Sequence, residues 1–152
     1  MSDPFEKFDD FLGGLSDRVS NGMADGLERS GEIVRKNIVK GIRNQEFNFA
    51  PLKPSTIEAK SKPRNRAGHS IPAGSNLILI DQGDYLSSIT AVRKGDEELI
   101  GTNHPQGRRL EFGDETNGQE ARPHFEPGLA KSEDEVKEEL MESFKECFKF
   151  DI

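Results

Sequence analysis

The first third of the chain carries a regular apolar stripe. Between residues 15 and 43, hydrophobic residues recur at intervals of four or seven positions, which is the spacing of one face of an α-helix. The pattern predicts a helix from about Leu15 to Arg43, after a break at Gly13 and Gly14. The residues of this stripe are Leu15, Val19, Met23, Leu27, Val34, Ile38 and Ile42.

This predicted helix is long for a chain of 152 residues. At 1.5 Å per residue it would extend about 42 Å, which is at least the width of a domain of this size. We therefore expect its N-terminal part to pack on a partner subunit, and Gly22 and Gly26 would let another backbone approach closely. The short apolar stretch at 1–14 is predicted to be a docking segment. The candidate interface residues on the helix are Leu15, Val19, Met23 and Leu27.

A second helix is predicted near the C-terminus. The stretch from Ser132 to Glu135 has the pattern of a capping box, in which a serine hydroxyl and a glutamate three residues later satisfy free backbone donors. One apolar face follows, so the helix is predicted to run from Ser132 to about Phe148. The residues of that face are Val136, Leu140, Phe144, Cys147 and Phe148.

Strand-like sequence separates the two predicted helices. Two extended runs, 88–93 and 97–102, flank a Lys-Gly-Asp turn, which is a β-hairpin signal. A further short apolar run lies at 77–80. The predicted fold class is therefore α+β, with a long N-terminal helix, a small antiparallel β-sheet containing a hairpin, and a C-terminal helix in one domain over residues 1–152.

Composition and charge narrow the possible functions. Hydrophobic residues make up 32% of the chain and the mean hydropathy is -0.73, so we expect a lean core and no membrane-spanning segment. The N-terminus lacks the pattern of a secretory signal, which favours a cytoplasmic site of synthesis. The net charge of -7 argues against a general nucleic-acid binder. Cys147 is the only cysteine and is expected to be a packing residue on its helix.

One segment departs from this acidic balance. Residues 50–76 carry five basic residues and one acidic residue among several prolines and glycines, which predicts a long loop or arm. Such an arm is either mobile and solvated, or it orders against an acidic neighbouring subunit or nucleic acid. Lys60 and Arg64 are its candidate interface residues.

Recognisable catalytic motifs are absent from the sequence, which contains no phosphate-binding glycine loop with a following lysine and no nucleophile elbow. A metal site is conceivable if the fold gathers His104, Glu111, Asp114 and His124, and a small metal-dependent hydrolase is therefore one alternative. A DNA-binding assembly factor that acts through the 50–76 arm is another. We expect neither an enzyme nor a cofactor.

Four short sequence clusters are not explained by these motifs, and the local structure of each can be predicted from its residues. In the last two, Gly113 suits the end of a helical stretch and Arg122 is biased to an extended backbone by the proline after it. Glu111 and Arg122 could form an ion pair that ties the sheet to the next segment or to the next subunit. The clusters are Pro51–Ile57, Leu79–Gly83 followed by Ser88 and Ile89, Ile100–Asn103 with Leu110–Gly113, and Ala121–Phe125.

In this order and at these separations, the clusters resemble the tail-completion or neck proteins of tailed bacteriophages, a family related to phage virion morphogenesis proteins. The resemblance covers residues 51–125, about half of the chain. It implies a structural virion protein at the junction of capsid and tail, which completes the tail so that it can join a DNA-filled head. The implied partners are copies of the chain in a ring, for example of six, together with a tail terminator, a head-completion or stopper protein, or the tail tube. DNA would pass through the ring without specific binding, and no membrane would be involved.

Overall fold

The computed structural model describes residues 3–66, 69–71, 73, 74 and 76–149, and it has the predicted α+β fold. A long N-terminal helix and a C-terminal helix flank a middle region, about half of the chain, that contains two separate β-hairpins. The elements are α1 (Pro4–Arg43), α2 (Pro54–Ser61), β1 (Arg64–Arg66), β2 (His69–Ile71), α3 (Asp84–Ser87), β3 (Ile89–Lys94), β4 (Glu97–Thr102), α4 (Gly107–Phe112), a 3-10 turn (Glu115–Asn117) and α5 (Phe125–Cys147).

Helix α1 is 40 residues long and starts earlier than predicted. The Asp3 side chain caps it by accepting a hydrogen bond from the Phe5 backbone N–H at 3.1 Å, and Pro4 occupies the first turn, where no N–H is needed. The predicted break at Gly13 and Gly14 is wrong, because the helix runs through both. A glycine costs a helix only about 1 kcal/mol relative to alanine, so two glycines weaken a helix without ending it. The helix is therefore about 60 Å long.

Helix α5 runs antiparallel along α1, and small residues hold the two backbones close together. A Cβ atom added at Gly22 would lie 2.4 Å from the Cys147 sulfur, and one added at Gly26 would lie 2.6 Å from the Ser143 Cβ. The expected close approach at these glycines is confirmed, and the element that approaches belongs to the same chain. Cys147 is buried, as expected of a packing residue.

The predicted start of the C-terminal helix at Ser132 is wrong by seven residues. The helix begins at Phe125, and Pro127 is tolerated because the first four N–H groups of a helix have no partner within it. Ser132 is fully buried inside the helix, where its hydroxyl donates to the Gly128 carbonyl at 2.7 Å and accepts from Asn37 at 3.0 Å. A serine favours the N-cap by its local chemistry, and here its burial against Asn37 of α1 decides for the bond to the preceding turn instead.

The predicted hairpin at 88–102 is confirmed. Strands β3 and β4 pair antiparallel from Ile89 opposite Thr102 to Lys94 opposite Glu97, with Gly95 in the left-handed region of the turn at φ 63°. Both strands pack on α1. The apolar run at 77–80 forms turns instead of a strand.

A small core joins α1, α3 and β3. It lies toward the C-terminal end of α1, and its buried residues are Val34, Ile38, Ile42, Tyr85, Leu86 and Ile89. This is the lean core that the composition predicts. Within the described residues, none of the helices is long and apolar enough to span a bilayer.

The basic segment 50–76 is more ordered than predicted. It contains helix α2 and the short hairpin of β1 and β2, whereas positions 67, 68, 72 and 75 lie outside the described residues. Pro54 starts α2 because its missing N–H and fixed φ suit a first helical turn. The prediction of a long loop is therefore wrong where these elements form, about half of the segment, and an arm that orders against a neighbour stays a prediction.

Candidate functional site

Of the predicted interface residues of α1, Leu15 lies in the stretch where the helix extends beyond α5, whereas Met23 and Leu27 lie alongside α5. Because Cys147, the last residue of α5, lies opposite Gly22, the stretch of α1 at residues 4–17 extends beyond the end of α5. We call this stretch the N-terminal overhang. Its Phe5 and Phe8 are 77% and 57% exposed. The four predicted positions Leu15, Val19, Met23 and Leu27 are half-buried. Their role in a subunit interface stays a prediction.

Lys60 is a buried internal residue, although the sequence analysis placed it at an interface. Its ammonium group donates to the Leu77 carbonyl at 2.8 Å and to the Ile80 carbonyl at 2.6 Å. It thereby holds α2 against the turns at 77–80, whose backbone carbonyls point away from any β-ladder. Arg64, the other predicted cation, lies in β1.

Replacing Lys60 with methionine is expected to destabilise the fold by about 1 kcal/mol, because two partly buried backbone carbonyls lose their donor while the apolar stem is retained. Urea unfolding of the variant measures this loss. Lys62→Met in the same segment is the matched control, since Lys62 is exposed and pairs only with Glu58 one helical turn away. Equal stability of the two variants would contradict the structural role of Lys60.

Glu111 and Arg122 do not form the predicted ion pair within the chain. The Arg122 guanidinium donates instead to the carbonyls of Ala50 and Pro51, at 3.1 and 3.2 Å. The Glu111 carboxylate is buried and accepts from the backbone N–H of His124 at 2.9 Å. Each side chain connects distant segments, as expected, but it does so through backbone groups. Glu111 binds the start of α5, and Arg122 binds the segment that follows α1.

A buried polar network surrounds His124. Its Nδ1 lies 2.8 Å from the Arg122 carbonyl and 2.9 Å from the Glu111 carboxylate, and since both partners are acceptors, Nδ1 carries a hydrogen. Its Nε2 lies 2.7 Å from the Tyr85 hydroxyl. Burial, together with the nearby Glu111 charge, raises the pKa of Tyr85, so the hydroxyl keeps its hydrogen in this contact with Nε2.

The electrostatics of Glu111 follow from the same contacts. Burial by itself raises the pKa of the carboxyl group, but hydrogen bonds from the His124 ring and backbone and from the Phe125 N–H outweigh it and hold the pKa below its usual value. The carboxylate is therefore charged at neutral pH. A charged acceptor fixed on two backbone N–H groups orders the start of α5, where the helix dipole also favours negative charge.

The four sequence clusters converge on this network and on one concave surface. Arg122 connects the last cluster to the first through Pro51, its backbone N–H donates to Leu110 of the third at 2.7 Å, and Tyr85 lies just after the second. A cleft of about 600 Å³ opens beside them. Residues that line it come from every cluster, including Leu52, Thr56, Leu79, Gly83, Leu110 and Arg122.

The conceivable metal site is not assembled in the part of the chain that the structure describes. His124 and Glu111 are together, but His104 meets this network only through the edge of the Tyr85 ring, at 5.4 Å between ring centroids. Asp114 lies elsewhere, bonded to Asn117 at 2.5 Å. Among the described residues, no three His, Cys, Asp or Glu side chains are grouped to hold a metal ion.

Comparison with known proteins identifies no relative of this chain. No family model, curated protein or solved structure matches the chain.

Sequence reasoning found the residues of this region but not their connections. It singled out Glu111 from one cluster and Arg122 and His124 from another, yet it missed the bond from Tyr85 to His124 and the burial of Lys60. A basic residue six places after the start of a short, mostly polar helix gives no sign that it is buried. The proximity of Tyr85 and His124 depends on how α3 and α5 meet, which no local pattern encodes.

Proposed function

We propose that this chain is a structural component of the neck of a tailed bacteriophage, where it completes the tail for joining to the DNA-filled head as part of a homo-oligomeric ring. The observation that carries the proposal is the order of the four clusters between residues 51 and 125. Their convergence around His124 supports it, because residues that form one structural unit are expected to recur together in a family.

The distribution of apolar surface also supports a role in assembly. Large hydrophobic side chains are exposed at both ends of the sequence, and contiguous exposed apolar surface commonly marks interaction sites. They lie on α1 and on the last turns of α5, and they include Phe5, Phe8, Leu12, Met141, Phe144 and Phe148. A protein whose own core contains only a few buried apolar residues gains stability by covering such surface with other chains.

The charge of the chain is compatible with a ring around DNA. With a net charge of -7, the body of the protein repels phosphate, so DNA can pass without being held. Lys60, which the DNA-binding alternative requires at the surface, uses its ammonium group inside the fold. We therefore place the protein at the junction of capsid and tail, assembled in the host cytoplasm, with neighbouring neck or tail proteins as partners.

The proposal is tested in the phage that encodes the chain. Deletion of the gene is expected to give filled heads and separate tails in electron micrographs, and the wild-type protein supplied in trans should restore joined particles. Mass spectrometry of purified virions should detect the chain, and native mass measurement of the assembled neck should give a symmetric multiple of 16.9 kDa. Normal particles without the gene, or virions that lack the protein, would refute the assignment.

A further inference from the structure

The N-terminal overhang carries the seam of a coiled coil. Four of its apolar residues, Phe5, Phe8, Leu12 and Leu15, form one series that continues to Val19, and Phe11 lies beside this series. The intervals of three, four, three and four residues are those of positions a and d in a heptad repeat. This spacing places the side chains of the series along one line of α1, with Phe11 at the neighbouring position g.

The same line continues into an interface that already exists in the fold. After Val19 the series proceeds at intervals of three and four to Gly22 and Gly26, the two residues of α1 that lie against Cys147 and Ser143 of α5. On α1, the surface that binds α5 and the apolar line of the overhang are therefore one continuous seam. Helix α5 ends at Cys147, so it leaves the overhang section of this seam without a helix alongside.

We propose that a second copy of this chain covers the seam, and that two overhangs pair antiparallel around a two-fold axis near residue 10. In that register Phe5 of one copy meets Leu15 of the other and Phe8 meets Leu12. Each layer then joins an a position to a d position, as antiparallel pairing requires. The overhang of the second copy lies in line with α5, beginning near the place where α5 ends.

The charged residues of the overhang suit this arrangement. The stretch 3–17 contains five acidic residues and one basic residue. Within the heptad, Glu6, Asp10 and Asp17 fall at positions b and f, which face away from the seam. Lys7 lies at position c, also on the outer side. Only Asp9 among the acidic residues of the helix borders the seam, so the acidic face remains in water when the overhangs pair.

The contact is small, which determines how it should behave. Only residues 4–16 of each helix overlap, so the buried area falls below the roughly 1,200 Å² of stable interfaces and the association is expected to be weak and concentration-dependent. A two-fold contact also closes on itself after two copies. The proposed dimer therefore concerns the free protein before assembly. It goes beyond the ring of the proposed function and does not depend on that proposal.

Sedimentation of the full chain over a wide range of concentrations tests the pairing. The wild type is expected to pass from monomer to dimer. Leu12→Glu, which places a charge against Phe8 of the other copy, should weaken the dimer at least tenfold. Lys7→Gln makes the same change of net charge on the outer side and should dimerise as the wild type does. A chain that stays monomeric, or a Leu12→Glu variant that dimerises normally, would overturn the proposal.

Distances between spin labels test the orientation. In an antiparallel pair centred near residue 10, labels attached at Asp10→Cys lie level with each other, whereas labels at Asp17→Cys are separated by about 20 Å along the helix axis. Equal distances at the two positions would indicate a parallel pair and refute the proposed antiparallel register. Both experiments use the isolated protein, so their failure leaves the test in virions unaffected, and the reverse also holds.

Discussion

Replacing Glu111 with glutamine is expected to lower the free energy of unfolding by about 2 kcal/mol at neutral pH, because charge-assisted hydrogen bonds to buried groups are replaced by weaker neutral ones. The variant keeps the shape of the side chain and one acceptor oxygen for the His124 and Phe125 N–H groups. Glu111→Ala removes the acceptor altogether and should cost more, about 3 to 5 kcal/mol, since buried donors are left without a partner. Urea unfolding of the three proteins at pH 7 measures both differences.

The pH dependence of this loss identifies the charge as its cause. The folded-state pKa of Glu111 lies below the unfolded value of about 4.3, so its contribution is fully present above that value and is lost as the pH falls through the folded pKa. The difference between wild type and Glu111→Gln should therefore be constant near neutral pH and shrink in acid. A difference that stays the same down to acid pH would show that packing, and not ionisation, explains the effect.

Replacing Gly26 with alanine is expected to destabilise the protein by about 2 kcal/mol, even though alanine is the better helix former. The added Cβ would lie 2.5 Å from the Ser143 hydroxyl and 2.6 Å from its Cβ, so α1 and α5 must separate. Gly13→Ala in the same helix is the matched control. A Cβ there meets nothing within 4 Å, and the variant should be as stable as the wild type or more stable by up to about 1 kcal/mol.

A second substitution tests whether contact with α5 is the reason. Ser143→Gly removes the side chain that the new methyl group would strike, so the double variant Gly26→Ala, Ser143→Gly should be more stable than the sum of the two single effects predicts. Thermal or urea unfolding of the four proteins completes the cycle. Strict additivity would mean that the two positions do not touch in the way the structure describes.

Local patterns predicted the elements that local chemistry controls. The period of the apolar residues gave the existence of α1 and α5, and the Lys-Gly-Asp turn gave the hairpin of β3 and β4, with Gly95 in the left-handed region that such a turn needs. The end of α4 at Gly113, where φ is 77°, was also predicted from the glycine. In each case the deciding residue acts on its immediate neighbours in the chain.

The candidate site was only partly predictable. Arg122 and Glu111 were singled out because each lies in a segment marked by a proline or a glycine, but the ion pair predicted between them does not form. An arginine and a glutamate eleven residues apart suggest an ion pair, yet each found backbone groups that would otherwise stay unsatisfied. Buried backbone donors and acceptors compete for charged side chains, and the outcome depends on which of them the fold buries.

By itself, the sequence determined the two terminal helices, the central hairpin, the lean core and the acidic surface, since these depend on periodicity, turn chemistry and composition. Only the tertiary structure decided where the helices begin, that Ser132 bonds to the preceding turn, that Lys60 is internal, and that Tyr85 meets His124. The physical reason is that these outcomes depend on which surfaces meet. The small residues that bring α1 and α5 together are legible in the sequence, but their partners become known only when both helices are in place.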